Sequence, residues 1–281
     1  MALFSCIQDA VVVEVHEADA RTTLDATRDV LRERAVENNV VWQILADQAG
    51  HASYGRYWWI SQGDAVLGAA VHFPPRARAL LTPMPRDAAV ALAQAIRPPL
   101  PGVAGDPATA TAFAGSWATI HRVSARPVDA QLLYQLSTII STAPVRVPGT
   151  LRRARRSDRQ LVVEWRRASA NAGSNNDAGQ AVDRALARDE VWLWDVDGPV
   201  AMAIATRPVG GVSRIHAIFT PSESRRRGYG TALVDRLSRQ LLQNGIQCAL
   251  QTRLTNPVAH TLYQKIGYEP IGEILAFRWE P

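Results

Sequence analysis

Lysine occurs once in these 281 residues, at Lys265, and cysteine twice, at Cys6 and Cys248. No window approaches the ~18 uninterrupted apolar residues of a membrane helix, so no span is expected. Two distant cysteines, with no His or Cys at zinc-finger spacing, exclude a disulfide framework and a zinc module. His16, His51, His72, His121 and His260 share no ligand spacing either, and no metal is expected. Met1 to Gln8 has no basic region ahead of its few apolar residues, which argues against a secretory signal and makes the cytoplasm the expected compartment. Gly 18 and Pro 17 are too few for a collagen-like or largely disordered chain.

What remains is a folded chain, 47% hydrophobic and 20% charged. At about 100 to 200 residues per domain its length suits two domains. Residues 1–150 carry 12 basic and 13 acidic groups, while residues 151–281 carry 19 and 13, which gives the whole chain its net +5. An anionic partner, if there is one, is therefore expected on the second half. Ser141 to Gly149, with Pro144 and Pro148, bars a regular helix and reads as a linker. The expected domains are residues 1–145 and 146–281.

In the second half the hydrophobic periods predict a strand at Thr150–Ala154 and helices at Asp158–Ala170 and Gln180–Ala187, separated by a polar turn, Asn171–Asp177. Strands follow at Val191–Asp195, Val200–Thr206 and Val212–Thr220, joined at Asp197-Gly198 and Gly210-Gly211. A helix at Tyr229–Leu242 stops at Asn244-Gly245. A strand at Ile246–Leu250, a helix at Pro257–Ile266 and two closing strands, Tyr268–Ile271 and Leu275–Trp279, complete the half. The first half repeats this order more faintly: a strand at Val11–Val15, helices at Leu24–Arg34 and Glu37–Asp47, strands at Tyr57–Ile60, Val66–His72 and Ala79–Thr82, then helices at Ala88–Ile96 and Ala108–Trp117. Two similar α/β folds of about 140 residues each are expected in tandem.

The segment Ile215 to Thr231 runs from an apolar strand into a basic, glycine-spaced turn at a helix start. Gly228 and Gly230 let the backbone turn tightly, and the first turn of the helix aims unpaired N–H groups and its positive dipole end at the same point. A phosphate fits there, with Arg225, Arg226 and Arg227 adding charge. A solvated basic turn is the plainer alternative. The third glycine of a dinucleotide fingerprint is missing, as is the Gly-Lys-Ser/Thr of a Walker loop.

Arg225 to Gly230 matches the R/Q-x-x-G-x-G/A motif, and Asn256-Pro257-Val258-Ala259-His260-Thr261-Leu262-Tyr263-Gln264-Lys265-Ile266-Gly267-Tyr268 matches N-x-x-A-x-x-L-Y-x-x-x-G-F/Y. With these two motifs in order, residues 150–281 resemble the GNAT superfamily of acyl-coenzyme A dependent N-acetyltransferases. The resemblance implies a mixed-sheet α/β fold and acetyl-CoA as cosubstrate. It implies that the backbone of Ile218, Phe219 and Thr220 holds the pantetheine arm, that Arg225, Arg226, Arg227, Gly228, Tyr229, Gly230 and Thr231 wrap the pyrophosphate, and that Asn256 and Tyr263 flank the thioester. The first half looks like the degenerate copy of tandem GNAT proteins. Val36-Glu37-Asn38-Asn39, Tyr54 to Trp59 and Leu100 to Val103 resemble a two-domain actinobacterial subgroup. No R-x-x-G-x-G occurs in residues 1–150, so one coenzyme site is expected.

Acetylating an amine requires its neutral form, whereas a free alkyl amine has a pKa of ~10. His216 lies on the strand leading to the loop, expected on the same face as Ile218 and Thr220, and is the candidate base; a hydrogen-bonded structural histidine is the alternative. The family's usual carboxylate is missing from this strand. Tyr263 is by resemblance the acid that meets the departing thiolate, and otherwise a core aromatic. A strand N–H near Phe219 would face the developing oxyanion. Asn256 before Pro257 also suits a plain helix cap. Cys248, in the apolar C-A-L segment, reads as a small buried hydrophobe, which favours direct transfer over an acyl-enzyme. Leu151 to Arg167 holds seven arginines but no nucleic-acid motif, so a solvated helix end is preferred to nucleic-acid binding. Trp58-Trp59 reads as strand packing before an acceptor-cleft lining.

The expected activity is transfer of an acetyl group to a small-molecule or peptide amine by a protein that is not membrane-bound, with room for a homodimer. The alternatives are a dedicated small-metabolite acyltransferase of the mycothiol-synthase type, or a non-catalytic acyl-CoA or nucleic-acid binder.

Overall fold

The computed structural model describes residues 12–50, 55–75, 77–138, 146–169 and 178–280. The chain divides into two compact units, residues 1–130 with 273–281 and residues 131–272. Residues 141–145 of the expected linker and the expected polar turn at 171–177 lie outside the described residues.

In the first unit β1 (Val13–Ala18), β2 (Arg56–Gln62), β3 (Ala65–His72) and β4 (Ala79–Leu81) pair antiparallel in that order. β4 pairs parallel with β5 (Gly102–Gly105), and β5 pairs antiparallel with Leu275–Arg278 of the last strand, β12 (Glu269–Glu280). The helices are α1 (Ala20–Glu33), α2 (Asn39–Gln48), α3 (Arg86–Ala95) and α4 (Pro107–His121). Asp19 caps α1 by accepting from Thr22 N, and Asp106 caps α4 ahead of Pro107, so both helix starts are encoded locally. Trp58, Ile60, Leu92, Phe113, Trp117 and Phe277 sit in one core, which places Trp58 in packing rather than in a cleft. A groove of about 910 Å³ runs between α3 and α4, lined by Met84, Arg86, Val90, Thr111 and Gly115 among others.

The second unit orders its strands as residues 131–136 of β6 (Ser124–Leu136), then β11 (Gln247–Arg253), β10 (Val212–Phe219), β9 (Pro199–Ala205), β8 (Val191–Asp195) and β7 (Thr150–Arg153). Only the β10–β11 pair among these is parallel. Alternation along the strands sends one set of side chains to each face. Leu193, Met202 and Ala217 meet Val162, Trp165 and Val182 of α5 (Arg159–Ala168) and α6 (Ala178–Ala187). Trp192, Ala203, Ile215 and Leu250 meet Leu233, Leu237 and Tyr263 of α7 (Tyr229–Gln243) and α8 (Pro257–Ile266).

The order strand, two helices, three strands, helix, strand, helix, strand occurs twice along the chain, a fuller repeat than the faint one expected for the first half. The turns follow their glycines. Gly210 and Gly211 have φ 56° and 78° at a tight hairpin, and Gly245 at φ 72° ends α7 while its N–H returns to Leu242 O. Three differences stand out. β5 and β6 have no counterpart in the expected order, and the two expected closing strands are one, because β12 runs straight through Gly272.

Candidate functional site

The parallel ladder between β10 and β11 runs only from Val212–Gln247 to Arg214–Ala249, although β10 continues to Phe219 and β11 to Arg253. On its other edge β10 stays with β9, through Ile215–Ala205, His216–Ile204 and Phe219–Met202, with a register shift after His216. Ala217 sits in that shift at φ 51°, the left-handed region, and is 3% exposed. The two parallel strands therefore part where β10 bulges, and the β10 edge facing β11 loses its ladder partner. Ile218 packs against the core under α7, whereas Ala217 and Phe219 pack toward α5, the Phe219 ring lying 5.9 Å from Trp165.

This corrects the expected orientation of His216. Simple alternation puts His216 with Ile218 and Thr220, but the bulge breaks the alternation between them. His216 lies on the α5 side, within electrostatic reach of Arg214 and Arg166. Burial, and then those two guanidinium groups, hold its pKa well below the usual imidazole range, so the ring is neutral at pH 7. It makes no hydrogen bond to any described residue.

Beyond β10 a single 3₁₀ turn, Ser222–Ser224, leads to the basic loop. Arg226 at φ 62° and Gly228 at φ 82° both occupy the left-handed region, a curl that turns successive N–H groups to one side. Among the described residues no carbonyl accepts from the N–H groups of residues 226–231, and the first helical bond of α7 runs from Ala232 N to Gly228 O at 2.9 Å. Arg225, Arg226 and Arg227 are exposed around this row of donors. Arg225 is also fastened back, its Nε donating to Thr220 O at 3.0 Å. Gly228 and Gly230 are closely packed, since an added Cβ would stand 3.0 Å from Val147 Cγ1 and 3.0 Å from Thr220 Oγ1 respectively, and those side chains would have to give by a few tenths of an ångström. The Tyr229 side chain turns into the core and leaves only its N–H for the loop, while Thr231 is half-buried in the first helical turn.

On α8, Asn256 Oδ1 accepts from Ala259 N at 3.2 Å, so its side chain caps the helix. Tyr263 is 6% exposed, between Tyr134 of β6 at 5.7 Å and Tyr268 at 6.0 Å, ring centre to ring centre. Burial first, and Tyr134 second, push its phenol up to about 12. The Tyr134 hydroxyl is joined to His260 Nδ1 at 2.7 Å, and the Tyr268 hydroxyl to Ser238 Oγ at 2.8 Å. The Tyr263 hydroxyl makes no hydrogen bond to any described residue. It is the member of the trio left open to another partner.

Other sequence candidates resolve as structure. Cys248 is fully buried, its thiol pushed up to about 12 by burial, which suits packing and not nucleophilic attack. Much of the arginine run is engaged internally: Arg152 with Asp158 and Asp195, Arg159 with Asp183, and Arg153 stacked 3.8 Å over Trp192. Tyr134, Arg166 and Arg214 belong to no motif in the sequence. Tyr134 lies in an apolar run that gave no sign of its partner, and the two arginines meet only through tertiary structure. Among the described residues no cluster of His, Cys, Asp or Glu could hold a metal ion, and no helix is long and apolar enough to cross a membrane.

Parallel strands that part beside a bulge, with a glycine turn opening the next helix, are the arrangement of the GNAT acetyltransferase fold. Residues 198–277 match the family model described as FR47-like protein. A GNAT-family acetyltransferase from Colwellia psychrerythraea superposes with TM-score 0.64 at 12% identity, covering 95% of this chain and 100% of its own. A GCN5-related N-acetyltransferase from Sphaerobacter thermophilus gives TM-score 0.61 at 14% identity over 95% of each chain. A tandem GNAT protein from the clavulanic acid biosynthesis pathway gives 0.58 at 12% identity, over 95% of this chain and 98% of its own. No curated protein matches the sequence.

Proposed function

We propose that the chain is an acetyl-CoA-dependent N-acetyltransferase that passes the acetyl group directly to an amine on a small molecule or peptide. The observation that carries this is the row of N–H groups at residues 226–231 without acceptors among the described residues, at the start of α7 and directly after the strand that parts from its neighbour. A diphosphate satisfies such a row, because it meets several donors, the helix dipole and three exposed guanidinium groups at once. The β10 edge at Ile218–Thr220, past the end of the β11 ladder, suits the amide groups of a pantetheine arm. When bound, acetyl-CoA supplies an activated acyl thioester.

The chain's own groups then have separable tasks. His216, neutral at pH 7, can take the proton of the incoming amine directly or through water. With a depressed pKa it relays that proton onward and does not store it. Tyr263 stays protonated through the working range and donates a hydrogen bond to the departing thiolate. Full proton transfer from a phenol near 12 to a thiolate of pKa ~8.5 is uphill, so its contribution is stabilisation of developing charge. A backbone N–H near Phe219 is the donor assigned to the developing oxyanion. Calorimetry with acetyl-CoA, followed by a thiol-release assay with a panel of amines, tests the reading. Absence of acetyl-CoA binding removes it.

A further inference from the structure

Two tyrosines flank Tyr263, and both direct their hydroxyl protons away from it. On one side the Ser238 hydroxyl donates to Val234 O at 2.7 Å, which leaves its oxygen to accept from the Tyr268 hydroxyl at 2.8 Å. On the other side His260 Nε2 stands 3.3 Å from Leu254 O, and a carbonyl only accepts, so Nε2 carries the ring proton. In a neutral imidazole Nδ1 is then the acceptor, and the Tyr134 hydroxyl donates to it at 2.7 Å. Neither flanking hydroxyl has a second proton to offer the Tyr263 oxygen.

The two bonds differ in place. Ser238 and Tyr268 are both buried, whereas His260 is half-buried near the start of α8. Tyr263 and Ile266 are the buried residues of that helix, and His260 lies one turn ahead of Tyr263 on the same side. Tyr134 therefore meets two successive turns of α8. Its hydroxyl binds the His260 ring, and its own ring lies edge-on to that of Tyr263, 5.7 Å away with the planes at 62°. Tyr134 is itself fixed by β6, in register opposite Leu250 of β11, and is 1% exposed. A buried side chain on a strand, tied at its tip, thus sets both the height of α8 and the wall against which the Tyr263 ring rests. After burial, Tyr134 is also the group that raises the Tyr263 phenol, which keeps its proton in place.

We infer that Tyr134 and His260 are a positioning pair for Tyr263, holding its hydroxyl as a donor toward the departing thiolate. This rests on the acetyltransferase reading and on the task given there to Tyr263, and adds two residues that act through it.

The test measures thiol release from acetyl-CoA with the best amine of the panel. Tyr134→Phe removes the donor of the pair and His260→Ala the acceptor. Each is expected to lower kcat roughly 5- to 10-fold, because a donor displaced by a fraction of an ångström meets the developing charge less well, while acetyl-CoA affinity by calorimetry and the amine KM stay within about twofold. His260→Asn sets an amide oxygen near the place of Nδ1 and is expected to recover most of the loss. In a Tyr263→Phe background neither substitution should lower kcat further, since residues that act through one group are not additive. His260→Ala, at a half-buried site, carries the test if Tyr134→Phe does not fold. An unchanged kcat in the folded single variants overturns the pair, as does a His260→Asn protein no faster than His260→Ala. An undiminished loss in the Tyr263→Phe background overturns it too, being the mark of a merely structural cross-link. Wild-type kcat in Tyr263→Phe removes Tyr263 and its positioning pair but leaves the acetyltransferase standing, whereas failure to bind acetyl-CoA removes all of them.

Discussion

Thr220 and Gly230 press together so closely that a Cβ on Gly230 would stand 3.0 Å from the Thr220 hydroxyl oxygen. The end of the parting strand and the first turn of α7 are thus held as one corner, and Arg225 ties the same corner through Thr220 O.

Substituting this corner should therefore affect ligand binding before it affects the fold. Gly230→Val is expected to push α7 away from Thr220 and weaken acetyl-CoA binding at least 10-fold in calorimetry. Gly228→Trp adds left-handed strain, since Gly228 holds φ 82°, and should abolish binding. Strain of this kind costs roughly 1–2 kcal/mol. Full acetyl-CoA affinity in both variants would rule out the loop as the diphosphate site.

Tyr263→Phe removes a hydroxyl that has no hydrogen-bond partner among the described residues, so the melting temperature should hardly move. If that hydroxyl meets the departing thiolate, kcat should fall by ~10²-fold, in the range of acid–base contributions, with KM for acetyl-CoA little changed. Because burial raises the phenol to about 12, no loss of rate from Tyr263 ionisation is expected below pH 10. A variant with wild-type kcat would return Tyr263 to packing.

The parts of this arrangement that could be read in the sequence are local. A strand, a turn with Gly228 and Gly230, and a helix follow one another within a few residues, and Asn256-Pro257 announces the start of α8 in the same way. The parts that could not be read depend on distant partners. Gly102-Val103-Ala104-Gly105 lacks any alternation, and becomes β5 because Ala79 and Leu80 pair on one edge while Leu275–Arg278 pair on the other. A Cβ at Gly102 would collide with the Phe277 carbonyl, a requirement visible only once that strand has arrived. The face of His216 was misjudged because an ordinary alanine, Ala217, adopts φ 51°, and alanine gives no sign of a bulge. Arg166 and Arg214 are 48 positions apart in the chain, and only the packing of α5 over β10 brings their charges to one face.

Ala217 can be tested directly. Valine at φ 51° combines a left-handed backbone with a β-branched side chain, and Ala217 is already buried against α5. Ala217→Val is expected to cost about 2 kcal/mol or more in urea denaturation, and to lower kcat as His216 and the free strand edge are displaced. Unchanged stability would mean that the bulge is not anchored at this residue.

His216 should give no inflection near pH 6.5 in the rate profile, because burial and the two arginines keep it neutral well below that value. The rate should instead climb toward the pKa of the amine itself, ~10 for an alkyl amine. His216→Gln is expected to lower kcat/KM 10- to 100-fold at all pH values in that range if the ring relays the proton. Folding responds in a known direction. The unfolded histidine binds a proton near 6.5 while the folded one resists, so stability is lost as pH falls below 6.5, and less is lost in His216→Gln. A wild-type limb centred on 6.5 in kcat/KM would contradict the buried, cation-flanked setting.

Alkaline stability supplies an independent check on the core beneath α7. Cys248 is fully buried and its thiol lies near 12 in the folded protein, while Tyr268 is also pushed well above its ordinary value by burial. Raised acids of this kind keep their protons in the folded chain after the unfolded chain has lost them, so stability present below pH 9 drains away above it. For a thiol moving from 9.0 to about 12, the linkage amounts to about 1.4 kcal/mol by pH 10. Urea midpoints measured from pH 7 to 10 should be level and then decline, and Cys248→Ala should decline less steeply, from a lower starting value because a buried side chain is shortened. Identical slopes in the two proteins would mean that the thiol is not held in the low-dielectric core that packs α7 against the sheet.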